Sequence, residues 1–77
     1  MTIKPVESTT LAGIAYDAVA QVLYLEFHDK TGYRYFGVPS SVCRDLLSAE
    51  SKGAYFNRAI RGLYPYQRSR RASTSLS

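Results

Sequence analysis

The feature that most constrains the fold is a strict alternation in Val22-Leu23-Tyr24-Leu25-Glu26-Phe27-His28, where Leu23, Leu25 and Phe27 fall on one side and Tyr24, Glu26 and His28 on the other. Side chains repeat every second residue only along an extended strand, so this stretch reads as a half-buried β-strand. The polar link Asp29-Lys30-Thr31-Gly32 follows, and Tyr33-Arg34-Tyr35-Phe36-Gly37-Val38 then pairs back as the second arm of a hairpin. Upstream, Leu11-Ala12-Gly13-Ile14-Ala15-Tyr16 forms a weaker strand that ends at Asp17-Ala18, with Val19-Ala20-Gln21 completing another tight connection. The expected sheet is a three-stranded antiparallel meander.

Pro39 cannot donate to a ladder and fixes its own φ, so the sheet stops there and Ser40 or Ser41 is positioned to cap a helix. Val42, Leu46 and Ala49, flanked by Cys43 and Leu47, make one apolar stripe at helical spacing, while Arg44 and Asp45 point away. Ser51 reads as a second N-cap, after which Tyr55, Phe56, Ala59, Ile60 and Leu63 repeat at helical spacing and Gly62 offers a stop. From Gln67 onward the chain turns to Arg and Ser, a composition that cannot bury enough apolar surface to order itself. The expected fold class is therefore α+β: a three-stranded antiparallel β-meander followed by two short helices packed on one face. Residues 1–8 are expected to be a flexible N-terminus, 9–66 the folded domain and 67–77 a disordered basic tail.

With 77 residues the chain supplies one domain, and a core of that size gives a stability of roughly 3–5 kcal/mol. Cys43 and His28 are the only residues of their kinds, which excludes an internal disulfide and falls short of a zinc site, so no metal or cofactor is expected. The start of the chain lacks an apolar stretch of signal-peptide length, and no run reaches a membrane span. A soluble, reduced, cytoplasmic protein is the expectation.

Charge is distributed unevenly. Residues 1–50 hold Lys4, Lys30, Arg34 and Arg44 against Glu7, Asp17, Glu26, Asp29, Asp45 and Glu50, a net of −2. Residues 51–77 hold Lys52, Arg58, Arg61, Arg68, Arg70 and Arg71 with no acid, a net of +6. A one-signed field of this kind suits nucleic acid or another acidic surface.

Groups suited to catalysis are sparse. Cys43 and His28 form the sole nucleophile–base combination of that type, but Cys43 sits on an apolar helix side, His28 at a strand end, and no third orienting group is implied. The glycines are scattered rather than grouped before a helix, so no phosphate loop is present. A non-enzymatic binding module is the expected class. Within Tyr33-Arg34-Tyr35, alternation places both tyrosines on one face and Arg34 on the other. Rings presented from a sheet stack on bases of single-stranded nucleic acid; if the helices cover that face, the same rings are core or core rim.

The succession Ile14-Ala15-Tyr16-Asp17, Leu23-x-Leu25-x-Phe27, Tyr33-x-Tyr35, Val38-Pro39, Ala49-x-Ser51-x-Gly53-x-Tyr55-Phe56-Asn57-x-x-Ile60-Arg61 and Tyr64 resembles the KTSC domain family, over about residues 7–66. That family is named for a module at the C-terminus of some lysyl-tRNA synthetases and also occurs as free-standing bacterial and phage proteins. The resemblance implies a small α+β domain of RNA-binding type and brings no catalytic residues with it; Ala15 stands where the family usually has Gly.

Charge and resemblance together point to RNA or another nucleic acid as partner. Arg58 and Arg61 are expected to contact phosphates from the second helix, whose outer surface Lys52 extends. Arg68, Arg70 and Arg71 would add contacts from the tail, with Arg34, Tyr33 and Tyr35 as secondary contacts. An alternative class is a small regulator, bacterial or phage-encoded, whose basic surface docks on an acidic host protein such as RNA polymerase. A third is a sponge for a nucleotide signal, held through Arg34, Arg58 and the tyrosines. Edge strands leave a dimer open.

Overall fold

The computed structural model describes residues 4–5 and 10–69. The elements run β1 (Lys4–Pro5), β2 (Leu11–Asp17), β3 (Val22–Phe27), β4 (Gly32–Phe36), α1 (Ser40–Ser48), α2 (Lys52–Ala59) and β5 (Tyr66–Ser69). They form an α+β fold with one antiparallel sheet in the order β1-β2-β3-β4-β5. The meander β2-β3-β4 is as expected, and two strands join its edges. Lys4 and Pro5, expected in a flexible arm, pair with Ile14 and Gly13. Tyr66–Ser69 pairs with Tyr35–Gly32, so Gln67 to Ser69 is strand rather than disordered tail. Both corrections have the same cause: β2 and β4 are the edges of the meander, and their unpaired backbone groups order whatever segment reaches them.

A register shift between Leu11 and Gly13 explains why β2 is weakly patterned. Leu11 and Ile14 are an odd number of residues apart and would face opposite ways on a regular strand. The bulge inserts one residue, so Leu11 opposite Phe27 and Ile14 opposite Leu25 both reach the core.

The β3–β4 link folds back on itself through Asp29, whose Oδ1 accepts the Thr31 N–H at 2.9 Å. The left-handed backbone there falls on Lys30 (φ 74°) and not on a glycine. Gly32 is needed for another reason: a Cβ on it would lie 2.8 and 2.9 Å from Tyr24 Cζ and Cε1. Tyr24, on the side of the sheet away from the core, has its ring against Gly32 and is buried despite its outward register.

α1 starts at Pro39, which occupies the cap position without a side-chain bond, in place of the expected serine caps. α2 is capped as its sequence suggests, Ser51 Oγ accepting the Ala54 N–H at 3.3 Å. The helix ends at Ala59, and Gly62 (φ 79°) turns the chain away. Leu63 is therefore past the helix and 64% exposed rather than part of its apolar stripe. Both helices pack on one side of the sheet, where Leu11, Ile14, Leu23, Leu25, Leu46 and Ile60 are fully buried. Tyr16 reaches across this core and its hydroxyl donates to the Val38 carbonyl. No helix among the described residues is long and apolar enough to cross a membrane.

Candidate nucleic-acid interface

Strand β4 places Tyr33 and Tyr35 on the helix side, opposite Leu25 and Leu23. Tyr35, 3% exposed, belongs to the core, and Tyr33 packs at its rim. The helices leave the β4–β5 end of this face uncovered, because α2 meets the sheet through Phe56, whose ring lies 5.6 Å from Phe27 and 5.7 Å from Tyr35. Strand β5 then extends the floor. Its register sets Tyr66 beside Tyr35 and Arg68 beside Tyr33, and the Tyr66 ring stands 5.6 Å from Tyr33 and 5.5 Å from Tyr35. Such spacings are those of favourable edge-to-face and tilted aromatic pairs.

Between the end of α2 and β5 this arrangement encloses a cleft of about 290 Å³. Phe27, Tyr33, Tyr35, Phe56 and Tyr66 supply its aromatic surface, Arg61 and Arg68 its cations, and Asp29 and Thr31 its remaining polar groups. The volume is at the lower end of small-ligand pockets, about 300 Å³. Tyr66 is the accessible ring, 58% exposed.

Electrostatics divide the cleft into neutral and charged groups. Burial, reinforced by Tyr33 and Tyr66, pushes the Tyr35 hydroxyl up to about 12, against an opposing pull from Arg61. That phenol is a neutral hydrogen-bonding group at ordinary pH. Asp29 is held below the usual carboxylate range, first by the Thr31 backbone N–H, then by the Thr31 hydroxyl, with the Arg68 charge contributing. Arg61 is steadied by the Asn57 amide, its Nη1 donating to Oδ1 at 3.3 Å.

The residues singled out from sequence do not converge on one surface. Arg61, Arg68, Tyr33 and Tyr35 meet at the cleft. Arg34 is exposed on the other face of the sheet, between Tyr24 and Gln67 in register. Arg58 lies over the Tyr55 ring, 5.4 Å from its centroid. Lys52 donates from Nζ to the Ala49 carbonyl at 3.2 Å, tying the start of α2 to the end of α1. It stands six residues before Arg58, about 120° away around the helix, so the two do not form a stripe. Arg70 and Arg71 lie outside the described residues. Sequence reasoning missed Phe56, Tyr66, Asp29 and Thr31 as cleft residues. The signal for Tyr66 was the alternation Tyr66-Gln67-Arg68 directly after Pro65. Cys43 is buried in the core on α1, and among the described residues no three His, Cys, Asp or Glu side chains gather to hold a metal ion.

Sheet, helices and cleft together define a small α+β module with an aromatic, arginine-rimmed recess on its helix side. The chain belongs to the KTSC domain family, whose sequence model matches residues 7–64. Its relatives include a lysine–tRNA ligase of Nostoc punctiforme, 38% identical over 65 residues that cover 84% of this chain and 11% of the ligase. A small protein of Tsukamurella paurometabola is 40% identical over 58 residues, 75% of this chain and 87% of that one. The chain thus spans about a tenth of the ligase but most of the small relative. The crystal structure of a KTSC domain protein from Yersinia pestis superposes with a TM-score of 0.86 at 31% identity, covering 88% of this chain and 96% of that one.

Proposed function

We propose that this KTSC module is a non-enzymatic binder of single-stranded RNA that takes an unstacked base into the cleft and holds the flanking phosphates with Arg61 and Arg68. The observation that carries the reading is the combination of an accessible ring, Tyr66, over an aromatic floor, with guanidiniums at the rim. Bases outside a duplex offer a π-face to such a platform whatever their sequence, and arginines neutralise the backbone that follows. A duplex keeps its bases stacked and cannot enter. The relation to lysine–tRNA ligases supports RNA as the polymer. Arg70 and Arg71, next to β5 in sequence and outside the described residues, add to the net positive charge of this part of the chain.

The test is a titration of fluorescein-labelled single-stranded RNA, and of the same strand annealed to its complement, at low and moderate salt. The single strand is expected to bind and the duplex to bind more weakly. Tyr66→Ala should weaken single-strand binding by about 1–3 kcal/mol, the usual loss for one stacked base. Absence of binding at low salt, or equal binding of both forms, would remove the proposal. A mononucleotide that competes as well as the oligomer would instead make the module a sponge for a nucleotide signal.

A further inference from the structure

The RNA reading leaves open which base enters, and the polar end of the cleft bears on that. Asp29 and Thr31 come from the β3–β4 link and line the same recess as Tyr66 and Arg61. The carboxylate, though exposed, is tethered to the link, since its Oδ1 accepts the Thr31 N–H at 2.9 Å. Thr31 is itself 92% buried, being 8% exposed, so this anchor does not swing with solvent. A carboxylate has about four acceptor sites, and Thr31 occupies only part of them.

Resting on the RNA reading, we propose that the cleft selects guanine, with Asp29 reading its Watson–Crick edge while Tyr66 stacks on its face. An ionised carboxylate accepts hydrogen bonds and donates none. Guanine presents two neighbouring donors on that edge, N1–H and the N2 amino group, and meets both carboxylate lone-pair directions. Adenine and cytosine each set one amino donor beside a ring-nitrogen acceptor, which the carboxylate repels. Uracil sets its single N3–H between two carbonyl oxygens, which repel it twice. Bonds to an ionised acceptor are the strong ones, so the difference is large. A cationic ligand would also suit rings and a carboxylate, but Arg61 and Arg68 at the same recess oppose one.

The experiment uses the full chain and four fluorescein-labelled pentaribonucleotides, UUGUU, UUAUU, UUCUU and UUUUU, followed by anisotropy. UUGUU should bind about tenfold tighter than the others, the factor for one net charge-assisted bond. Replacing its central base by inosine, which lacks the N2 amino group, should remove part of that advantage. In Asp29→Asn the side-chain oxygen can still accept from Thr31, and the guanine-to-uracil affinity ratio should fall to about one whatever happens to the absolute affinities. Equal binding of all four oligomers overturns guanine selection and leaves the RNA reading standing. A variant that weakens all four alike without changing their ratio also overturns it, since Asp29 would then only shape the loop. If no oligomer binds, the RNA reading fails and this inference fails with it.

Discussion

Arg61→Gln and Arg68→Gln, measured through salt dependence rather than affinity alone, test whether charge at the cleft is what meets the RNA backbone. Both side chains are exposed, so each substitution should leave folding stability within about 0.5 kcal/mol. For single-stranded nucleic acid each neutralised phosphate contributes about 0.7 to the slope of log affinity against log salt. If Arg61 and Arg68 each hold one phosphate, each substitution should reduce the steepness by about 0.7, and the double variant by about 1.4. Between 50 and 200 mM salt the pair would account for about a sevenfold loss in the parent protein, and either arginine alone for roughly two- to threefold. Because the comparison is a difference of slopes, the contribution of Arg70 and Arg71 cancels. Arg34→Gln is the control, since its guanidinium is on the opposite face of the sheet. Anisotropy of a labelled single-stranded RNA at five or more salt concentrations gives the slopes. If Arg34→Gln flattens the slope as much as Arg61→Gln, the cations act as a diffuse cloud and the cleft is not where the backbone runs.

The fold makes two further commitments. Gly32→Ala should destabilise by about 1–3 kcal/mol in urea unfolding, because its new methyl group meets the buried Tyr24 ring within van der Waals distance; Tyr24→Phe should recover part of this by removing the nearest atom. A Gly32→Ala melt indistinguishable from the parent would mean that the ring is free to move aside. Alkaline stability follows from Tyr35: its folded value of about 12 stands above the ordinary 10.0, so the stabilisation it contributes is complete below pH 10 and is lost as pH rises through about 12. Tyr16, Tyr24 and Tyr55 are raised by burial in the same direction. Thermal melts across that range, with absorbance of ionised phenol followed in parallel, should show a smaller loss in Tyr35→Phe; a phenol at Tyr35 titrating near 10 would sink the assignment.

What could be read from the chain beforehand follows the strength of local patterning. Leu23, Leu25 and Phe27 alternate without exception, and Ser51 stands where a cap must, so β3 and the start of α2 were legible. β2 was blurred because its bulge breaks the period that defines a strand. β5 was faint for a different reason: beyond the brief alternation after Pro65, Tyr-Gln-Arg-Ser has no apolar face of its own, and its strand conformation is supplied by the open edge of β4. The position of Leu63 was misjudged since periodicity continues through Gly62 on paper, whereas the backbone turns there with positive φ. At the candidate site, Arg61 was within reach of sequence reasoning because it is a cation closing the stretch patterned as helix, although α2 ends at Ala59 and Arg61 lies in the turn beyond it. Asp29 was not, since an acidic residue in a hairpin turn is ordinarily explained by the turn alone.

Of the two edge strands that sequence concealed, β5 is the one that completes the recess. Without β5, Tyr33 and Tyr35 would be rim and core at the edge of a four-stranded sheet, with Phe56 packed against Tyr35. Tyr66 and Arg68 arrive only through pairing with β4, one adding an exposed ring and the other a cation. On the proposed RNA reading, the chain thereby separates two demands that conflict in so small a domain: Tyr35 must stay buried to hold the core, whereas a base must find a ring it can reach. Truncating Tyr35 would therefore confuse stability with binding, and truncating Tyr66 would not, because more than half of its surface is already in solvent, 58%.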